Sequence, residues 1–107
     1  MRRLFVLAAV VALVVSGTAF AQNSLLNKIQ QRGTLVCGTN GRLPGFSTVN
    51  EAGEFQGMDV DLCRAIAAAV LGDADAIEYR PLDAQERFTA LQTGEVDVLI
   101  RNTTWTS

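Results

Sequence analysis

The last twelve residues of the chain, VDVLIRNTTWTS, place a set of hydrogen-bonding side chains directly after an apolar stretch. Val96–Ile100 is typical of a buried strand. Guanidinium, amide and hydroxyl groups follow it, at Arg101, Asn102, Thr103, Thr104 and Thr106. Amides and hydroxyls donate and accept hydrogen bonds, and a guanidinium holds an anion in a fork. The segment therefore predicts a surface that binds a small polar molecule. Arg87, as a second cation, and Phe46, as an apolar cover, are further candidates for that surface.

The sequence offers little for catalysis. It contains no histidine, so a serine or threonine has no imidazole base. Asp59 and Asp61 lie two positions apart on a predicted helix and point in different directions, so they do not form a paired-carboxylate site. The glycines of GTNGRLPG miss the phosphate-loop pattern and lack its lysine. We therefore expect a binding protein with no metal and no cofactor, and not an enzyme.

Strands and helices alternate along the chain. The predicted order is a short helix from Ser24, a strand at Thr34–Cys37, a helix from Asp59 to Gly72, a strand at Ala76–Arg80, a helix ending near Thr93 and a strand at Val96–Ile100. This alternation predicts an α/β fold with a mostly parallel sheet and crossover helices. The intervening Thr39–Gly57 reads as a long loop, with a small hairpin around Asn50–Gly53.

Two polar loops are expected at one edge of this sheet. Ligands of open parallel sheets bind beyond the carboxyl ends of the strands. Thr39–Phe46 follows the first strand and Arg101–Thr106 follows the third, so we expect these loops to meet.

The helices show apolar faces and end signals. Val60, Cys63, Ala67 and two further apolar residues recur at helical spacing, which predicts a buried face. Asp59 and Asp61 sit in the first turn of that helix, where they favour its dipole. In the next helix Phe88 and Leu91 are the expected core residues. Asp83 and Glu86 have the spacing of a capping box.

The first 21 residues have the layout of a secretory signal peptide. Arg2 and Arg3 precede the apolar run Leu4–Val15, and Ala19–Ala21 forms an A-x-A-like site, which predicts cleavage between Ala21 and Gln22. The apolar run is shorter than the roughly 20 residues of a spanning helix. An uncleaved membrane anchor is the alternative. We expect an exported, periplasmic protein.

Charge and cysteine content narrow the class of partner. Without the two N-terminal arginines, seven basic residues face eleven acidic ones, a net charge of −4. An acidic chain without a basic cluster argues against binding to nucleic acid or to anionic membranes. Cys37 and Cys63 fit no metal motif. Export favours a disulfide between them, and two buried thiols are the alternative.

Three stretches resemble a known family: GTLVCGTNGRLPGFS, GEFQGMDVDLCRAIAAAV and RFTALQTGEVDVLIRNTTWT. They are similar to the start of the periplasmic solute-binding proteins of polar amino acid ABC transporters, of the general L-amino-acid-binding type. The resemblance covers Leu25 to the last residue. Its most specific mark is Gly57-x-Asp59-Val60-Asp61-Leu62, from which Met58 departs slightly.

The resemblance implies two α/β lobes that close on a free amino acid and deliver it to an ABC transporter permease. Residues 22–107 would form the N-terminal part of the first lobe of a type II periplasmic binding protein, acting as a monomer. Ligand contacts would come from Asn40, Phe46, Arg87, Asn102 and Thr104. Relatives selective for basic amino acids carry an acidic residue at the position of Asn40, so a basic-only preference is not expected.

The same resemblance places a carboxylate-gripping arginine beyond Ser107, and no acidic partner for the ligand ammonium is evident. We therefore expect residues 22–107 alone to bind no free amino acid.

Other interpretations stay open. The chain could begin an exported dehydratase or lytic transglycosylase on the same fold, or the sensing domain of a receptor. Single residues could also be structural. Arg87 could pair with Asp83 or Glu86, Phe46 could lie in the core, and Trp105 could pack against the lobe.

Overall fold

The computed structural model describes residues 24–104, which form an α/β unit. The elements are α1 (Ser24–Arg32), β1 (Leu35–Thr39), β2 (Arg42–Leu43), β3 (Ser47–Val49), β4 (Phe55–Gln56), α2 (Met58–Leu71), β5 (Ile77–Pro81), α3 (Arg87–Gln92) and β6 (Val98–Leu99). The predicted signal segment, its cleavage site at Ala21 and Gln22, Trp105 and Thr106 lie outside the described residues. The alternating order predicted from the sequence is confirmed.

A parallel sheet with strand order β5-β1-β6 forms the centre of the fold. β1 pairs with β5 from Leu35 opposite Ile77 to Thr39 opposite Pro81. On its other side, Cys37 and Gly38 pair with Val98 and Leu99. The parallel sheet is confirmed, with a shorter third strand than predicted. The flanking residues still bond to β1, because the Asp97 N–H donates to the Val36 carbonyl and the Ile100 N–H to the Gly38 carbonyl.

Apolar side chains pack on both faces of this sheet. One cluster contains Val36, Leu82, Ala90 and Val96, with Leu99 against it. The other is centred on Ile29, Leu35 and Ala67, with parts of α2 and the neighbouring strands against it. The predicted face of α2 is confirmed, since Val60, Cys63 and Ala67 are all buried.

The expected core residues of α3 are wrong. Phe88 is 51% exposed and Leu91 is 42% exposed, whereas Ala90 is 1% exposed. α3 turns Ala90 toward the sheet. Leu91 lies one position later and Phe88 two positions earlier, and at these offsets a helix points side chains well away from the sheet. The small side chain, and not the two large ones, therefore anchors α3.

The segment between β1 and α2 is more ordered than the predicted long loop. It contains a second sheet, antiparallel, with order β2-β3-β4. The hairpin predicted around Asn50–Gly53 is confirmed, because Asn50 Oδ1 accepts hydrogen bonds from the N–H groups of Ala52 and Glu54. Strands of two or three residues carry no readable alternation, and the sequence pattern therefore missed the second sheet.

A disulfide joins Cys37 of β1 to Cys63 of α2, with 6.3 Å between their Cα atoms. Both residues are fully buried. The prediction of a bonded pair is confirmed, and the alternative of two buried thiols is not what the structure shows. The bond fixes α2 against the strand that leads to Asn40.

The acidic residues at the helix starts act differently in α2 and α3. Asp83 Oδ1 accepts the N–H groups of Gln85 and Glu86, at 2.9 and 2.8 Å. This is one half of the predicted capping box, since Glu86 returns no bond. At the start of α2, no side chain caps the helix. Asp59 and Asp61 lie in its first turn, where negative charge favours the helix dipole.

Candidate functional site

The two polar loops meet beyond the carboxyl ends of β1 and β6. The side-chain amide Nδ2 of Asn40 donates to Asn102 Oδ1 at 2.7 Å. Asn40 follows the last residue of β1, and Asn102 lies three residues after β6. Because β1 and β6 are neighbours in a parallel sheet, their carboxyl ends lie side by side. The predicted meeting of the loops is confirmed at this bond.

The turn that presents Asn40 is held by a buried serine. Gly41 has a φ of 81°, and its N–H donates to Ser47 Oγ at 2.6 Å. The Arg42 N–H donates to Asn40 Oδ1 at 3.2 Å. Both the oxygen and the nitrogen of the Asn40 side-chain amide are therefore hydrogen-bonded. Sequence reasoning missed Ser47, because a serine in a glycine-rich segment carries no pattern that distinguishes a buried acceptor from an exposed one.

Arg101 lies half-buried across the end of the sheet. Its Nη1 donates to the Leu82 carbonyl, and its Nε and Nη2 donate to the carbonyl and Oδ1 of Asn102 at 3.2 and 3.1 Å. Burial lowers the pKa of Arg101, and the nearby Arg87 charge lowers it further against the opposing effect of Asp83. The guanidinium is therefore held in place by uncharged oxygens.

Arg87, the first residue of α3, also contacts the Asn102 carbonyl. Its Nη1 donates to the Asn102 carbonyl at 3.2 Å, and its guanidinium carbon lies 4.8 Å from the centroid of the Phe88 ring. Its Nε is buried without a hydrogen-bond partner. The alternative of an ion pair with Asp83 or Glu86 is not formed among the ion pairs of residues 24–104.

An open cleft of about 490 Å³ lies beside these groups. Residues of the two loops and of the Pro81–Glu86 segment line it: Asn40, Arg42, Pro81, Leu82, Asp83, Ala84, Glu86 and Arg101. The lining carries two guanidiniums and two carboxylates. Two acidic side chains thus line the cleft, whereas no acidic partner for a ligand ammonium is evident from the sequence alone. The sequence suggests Asp83 and Glu86 only as capping residues or as partners of Arg87, because spacing along the chain does not show that they also line a cleft.

Other predicted site residues lie outside the lining of this cleft. Phe46 is 41% exposed and is not a core residue; its carbonyl accepts the Asp59 N–H at 2.9 Å. Thr103 and Thr104 are exposed. Thr103 Oγ1 donates to the Arg101 carbonyl at 3.4 Å. The structure thus brings together Asn40, Arg87, Arg101 and Asn102, and it leaves Phe46, Thr103 and Thr104 apart from the cleft.

Two kinds of feature are absent from the described part of the chain. Among residues 24–104, no three histidine, cysteine or acidic side chains are grouped so that they could hold a metal ion. Over the same residues, no helix has the length and apolar character needed to cross a membrane.

The fold is that of a partial first lobe of a type II periplasmic binding protein. The sequence profile of the bacterial extracellular solute-binding proteins, family 3, matches residues 35–107. The chain belongs to this family. The fold class expected from the resemblance is confirmed.

Curated relatives carry binding-protein names. The chain is 54% identical over 100 residues to the putative amino-acid ABC transporter-binding protein YhdW of Escherichia coli, covering 94% of this chain and 29% of that protein. It is 52% identical to the glutamate/glutamine/aspartate/asparagine-binding protein BztA of Rhodobacter capsulatus, over 89% of this chain and 28% of that one. The chain thus spans less than a third of the length of these relatives.

Solved structures share the fold. A periplasmic binding protein from Brucella ovis with glutathione bound superposes with a TM-score of 0.72 at 57% identity, covering 76% of this chain and 25% of that one. The arginine-bound form of domain 1 from TmArgBP superposes with a TM-score of 0.66 at 30% identity, covering 77% of this chain and 61% of that one. An ancestral cyclohexadienyl dehydratase superposes with a TM-score of 0.65 at 30% identity, covering 76% of this chain and 32% of that one.

Proposed function

We propose that this protein binds a free L-amino acid outside the cytoplasm and delivers it to the membrane permease of an ABC transporter. The names of the relatives at about half identity support an amino-acid ligand. Residues 22–107 form the N-terminal part of its first lobe in this proposal. The arginine-bound domain 1 of a relative supports a ligand site on this lobe.

The hydrogen bond from Asn40 to Asn102 carries the proposal. It joins two loops that are distant in sequence into one polar wall, beside a cleft lined by both signs of charge. An amino acid is a zwitterion, and a buried charge needs an opposite or hydrogen-bonding partner. Arg101 and the two asparagine amides offer donors for ligand oxygens. Asp83 and Glu86 offer carboxylates for the ammonium group.

Phe46, Thr103 and Thr104 belong to the proposed site as outer contacts. All three are exposed on the described unit, so they are free to meet a ligand or a second lobe that closes over it. Closure of two lobes is what the resemblance implies for the family. Exposure here is therefore compatible with a role that appears only in the closed, ligand-bound form.

Calorimetry on the complete protein, as its gene encodes it, tests the function. We expect saturable binding of L-amino acids at the micromolar level or tighter and no heat from the matching D-amino acids. The ligand should be recovered unchanged by mass spectrometry after prolonged incubation, as for a binder, whereas a dehydratase would convert its substrate. Absence of binding to the whole panel, or chemical conversion of a bound compound, would overturn the proposal.

Export and processing are part of the same proposal. Met1–Ala21 acts as a signal peptide, and cleavage leaves Gln22 as the first residue of a monomeric periplasmic protein. N-terminal sequencing of the protein from a periplasmic extract should begin at Gln22, and its light-scattering mass should equal that of one chain. Membrane-bound protein that retains Met1 would contradict release as a soluble carrier.

A further inference from the structure

An asparagine–glycine step lies at the edge of the candidate site. The stretch GTNGRLPG contains Asn40 followed by Gly41, and none of the other asparagines of the sequence precedes a glycine. In such a step the backbone nitrogen of the glycine can reach the side-chain carbonyl carbon of the asparagine. A glycine has no Cβ to shield its nitrogen. This step is therefore the one in the sequence best suited to a reaction between an asparagine and its own backbone.

Three hydrogen bonds hold the groups that would react. The Gly41 N–H donates to Ser47 Oγ at 2.6 Å. The Asn40 amide donates from Nδ2 to Asn102 Oδ1 at 2.7 Å and accepts from the Arg42 N–H at 3.2 Å. Ser47 is 0% exposed, whereas Asn40 and Gly41 are partly exposed. The fold thus ties both the attacking nitrogen and the amide that it would attack, at a place that water reaches.

We propose that Asn40–Gly41 is a self-modification site, at which the Asn40 amide is converted to a carboxylate when these hydrogen bonds open. Ser47 is the main positioning residue, because it holds the nitrogen that must attack. Asn102 holds the nitrogen that must leave. This inference goes beyond the proposed function, since the chemistry requires no ligand.

The reaction needs only the chain and water. The Gly41 nitrogen loses its proton and forms a bond to Asn40 Cγ, the bond from Cγ to Nδ2 breaks, and Nδ2 leaves as ammonia. The product is a cyclic imide. Water then adds to one of the two imide carbonyl carbons and breaks the bond from that carbon to the ring nitrogen, which gives aspartate or isoaspartate. Overall, water is consumed and ammonia is released, with no change of oxidation state.

The modified residue no longer fits the polar wall of the cleft. Asn40 Nδ2 donates to Asn102 Oδ1, and a carboxylate has no proton to donate there. The cleft is lined by two guanidiniums and two carboxylates, so a further carboxylate leaves a surplus of negative charge. Isoaspartate also adds a backbone carbon to the turn at Gly41. Modification should therefore weaken amino-acid binding, and this consequence, unlike the chemistry, rests on the proposed function.

Site-specific deamidation of the complete wild-type protein is the first test. The protein is incubated at mildly alkaline pH with and without urea. Mass spectrometry follows the peptide that contains Asn40, and enzymatic methylation detects isoaspartate. Asn40 should convert before every other asparagine, and at least about tenfold faster in urea, because unfolding removes all three hydrogen bonds. Earlier conversion of another asparagine, or equal rates with and without urea, would overturn the inference.

Two variants release the step one hydrogen bond at a time. We expect Ser47→Ala and Asn102→Ala each to raise the native conversion rate at Asn40 about fivefold, the rate equivalent of one net hydrogen bond. Thr93→Ala is the matched control, since it removes a hydroxyl hydrogen bond at the end of α3, and should leave that rate unchanged. Asn102 is exposed, so its variant keeps the test decisive if Ser47→Ala does not fold. A wild-type rate in the variants that fold would overturn the inference.

Asn40→Asp tests the consequence for binding. Calorimetry of the complete protein with L-alanine and L-glutamine as uncharged probes should give a Kd about tenfold higher than in wild type. An unchanged Kd would overturn this consequence and leave the modification standing. If wild type bound neither probe nor any other amino acid, the consequence would fall together with the proposed function, and the deamidation rates would still decide the modification.

Discussion

Asn40 and Asn102 are 62 positions apart in the chain, and a single side-chain hydrogen bond of 2.7 Å joins them. The bond closes the end of the sheet, because one residue follows β1 and the other follows β6. The Asn102 carbonyl also accepts a hydrogen bond from each arginine of the site, Arg87 and Arg101. Asn40 and Asn102 are therefore coupled to each other and, through Asn102, to the cationic part of the cleft.

We predict that Asn40→Ala and Asn102→Ala each raise the Kd for an amino acid about tenfold. The double variant should raise the Kd by less than the product of the two single effects. A net hydrogen bond is worth about 1 kcal/mol, so a double-mutant cycle on binding should give a coupling of about 0.5–1.5 kcal/mol. Calorimetry on all four proteins measures it. Both side chains are at least partly exposed, so the melting temperature should fall by only a few degrees.

Asn27→Ala is the matched control for this cycle. Asn27 is exposed on α1, on an element that does not line the cleft, and its loss should leave every Kd unchanged. Strictly additive losses at Asn40 and Asn102 would show that the two residues act independently on the ligand.

We predict that Gly57→Ala strongly destabilises the fold. Gly57 has φ 127° and ψ 176°, a region that is essentially restricted to glycine. A Cβ there would lie 2.3 Å from the Phe46 carbonyl oxygen, which accepts the Asp59 N–H. We expect a loss of about 3 kcal/mol or more in the free energy of unfolding, measured by urea denaturation.

Gly53→Ala separates the clash at Gly57 from the conformational cost of replacing a glycine. Gly53 also has a positive φ, of 80°, but a Cβ there meets nothing within 4 Å. Its replacement should cost about 1–2 kcal/mol. If the two variants were equally stable, the approach of Gly57 to Phe46 would not matter to the fold.

The sequence predicted those parts of the molecule that depend on long patterns. The α2 face containing Val60, Cys63 and Ala67 repeats at helical spacing within a helix of 14 residues, and the alternation of strands and helices implies a parallel sheet. The meeting of the loops Thr39–Phe46 and Arg101–Thr106 followed from that topology alone, because both loops follow strands of one parallel sheet. No knowledge of side-chain packing was needed.

The sequence pattern could not predict short elements or local geometry. α3 has six residues, fewer than two turns, so its apolar residues could not show which side faces the sheet, and Ala90 was overlooked in favour of Phe88. Asp83 has the capping role that its spacing predicts and also lines the cleft. Spacing along the chain reports the first role, whereas the second depends on how the Pro81–Glu86 segment folds back beside Arg101.

We predict that the disulfide contributes several kcal/mol to stability. It closes a loop with a sequence separation of 26 between Cys37 and Cys63, for which the chain-entropy relation gives about 3–4 kcal/mol. Cys37→Ala/Cys63→Ala should therefore lower the free energy of unfolding by about that amount. Alanine is the suitable replacement, because serine would leave a buried hydroxyl without a partner.

Urea unfolding of the double alanine variant, beside the oxidised and reduced wild-type protein, measures this contribution. Reduced wild type and the variant should agree in stability. Intact mass after alkylation of the native exported protein is the control for the bond itself. Two freely alkylated thiols would contradict it, and a loss below about 1 kcal/mol would contradict the loop-closure argument.

We predict that Tyr79 titrates at a higher pH in the folded protein than in an unfolded chain. Its ring stacks on Phe55, with 4.6 Å between centroids. Burial raises its pKa above the ordinary value of about 10, with Asp75 and Asp61 adding to the rise and Arg64 opposing it. The fold therefore holds the phenolic proton more tightly than the unfolded chain does. The stability associated with this group is complete below about pH 10, and it is lost as the pH rises from there through the folded pKa.

The sequence contains one tyrosine, so ultraviolet absorbance of the phenolate follows Tyr79 alone. The midpoint should lie above about 10 in native protein and move to about 10 in urea. Tyr79→Phe keeps the stacking surface and should lose less stability between neutral and strongly alkaline pH than wild type. Arg64→Gln should move the native midpoint upward, because Arg64 favours the phenolate. A native midpoint at or below the unfolded one would mean that contact with Phe55 does not shield the hydroxyl from water.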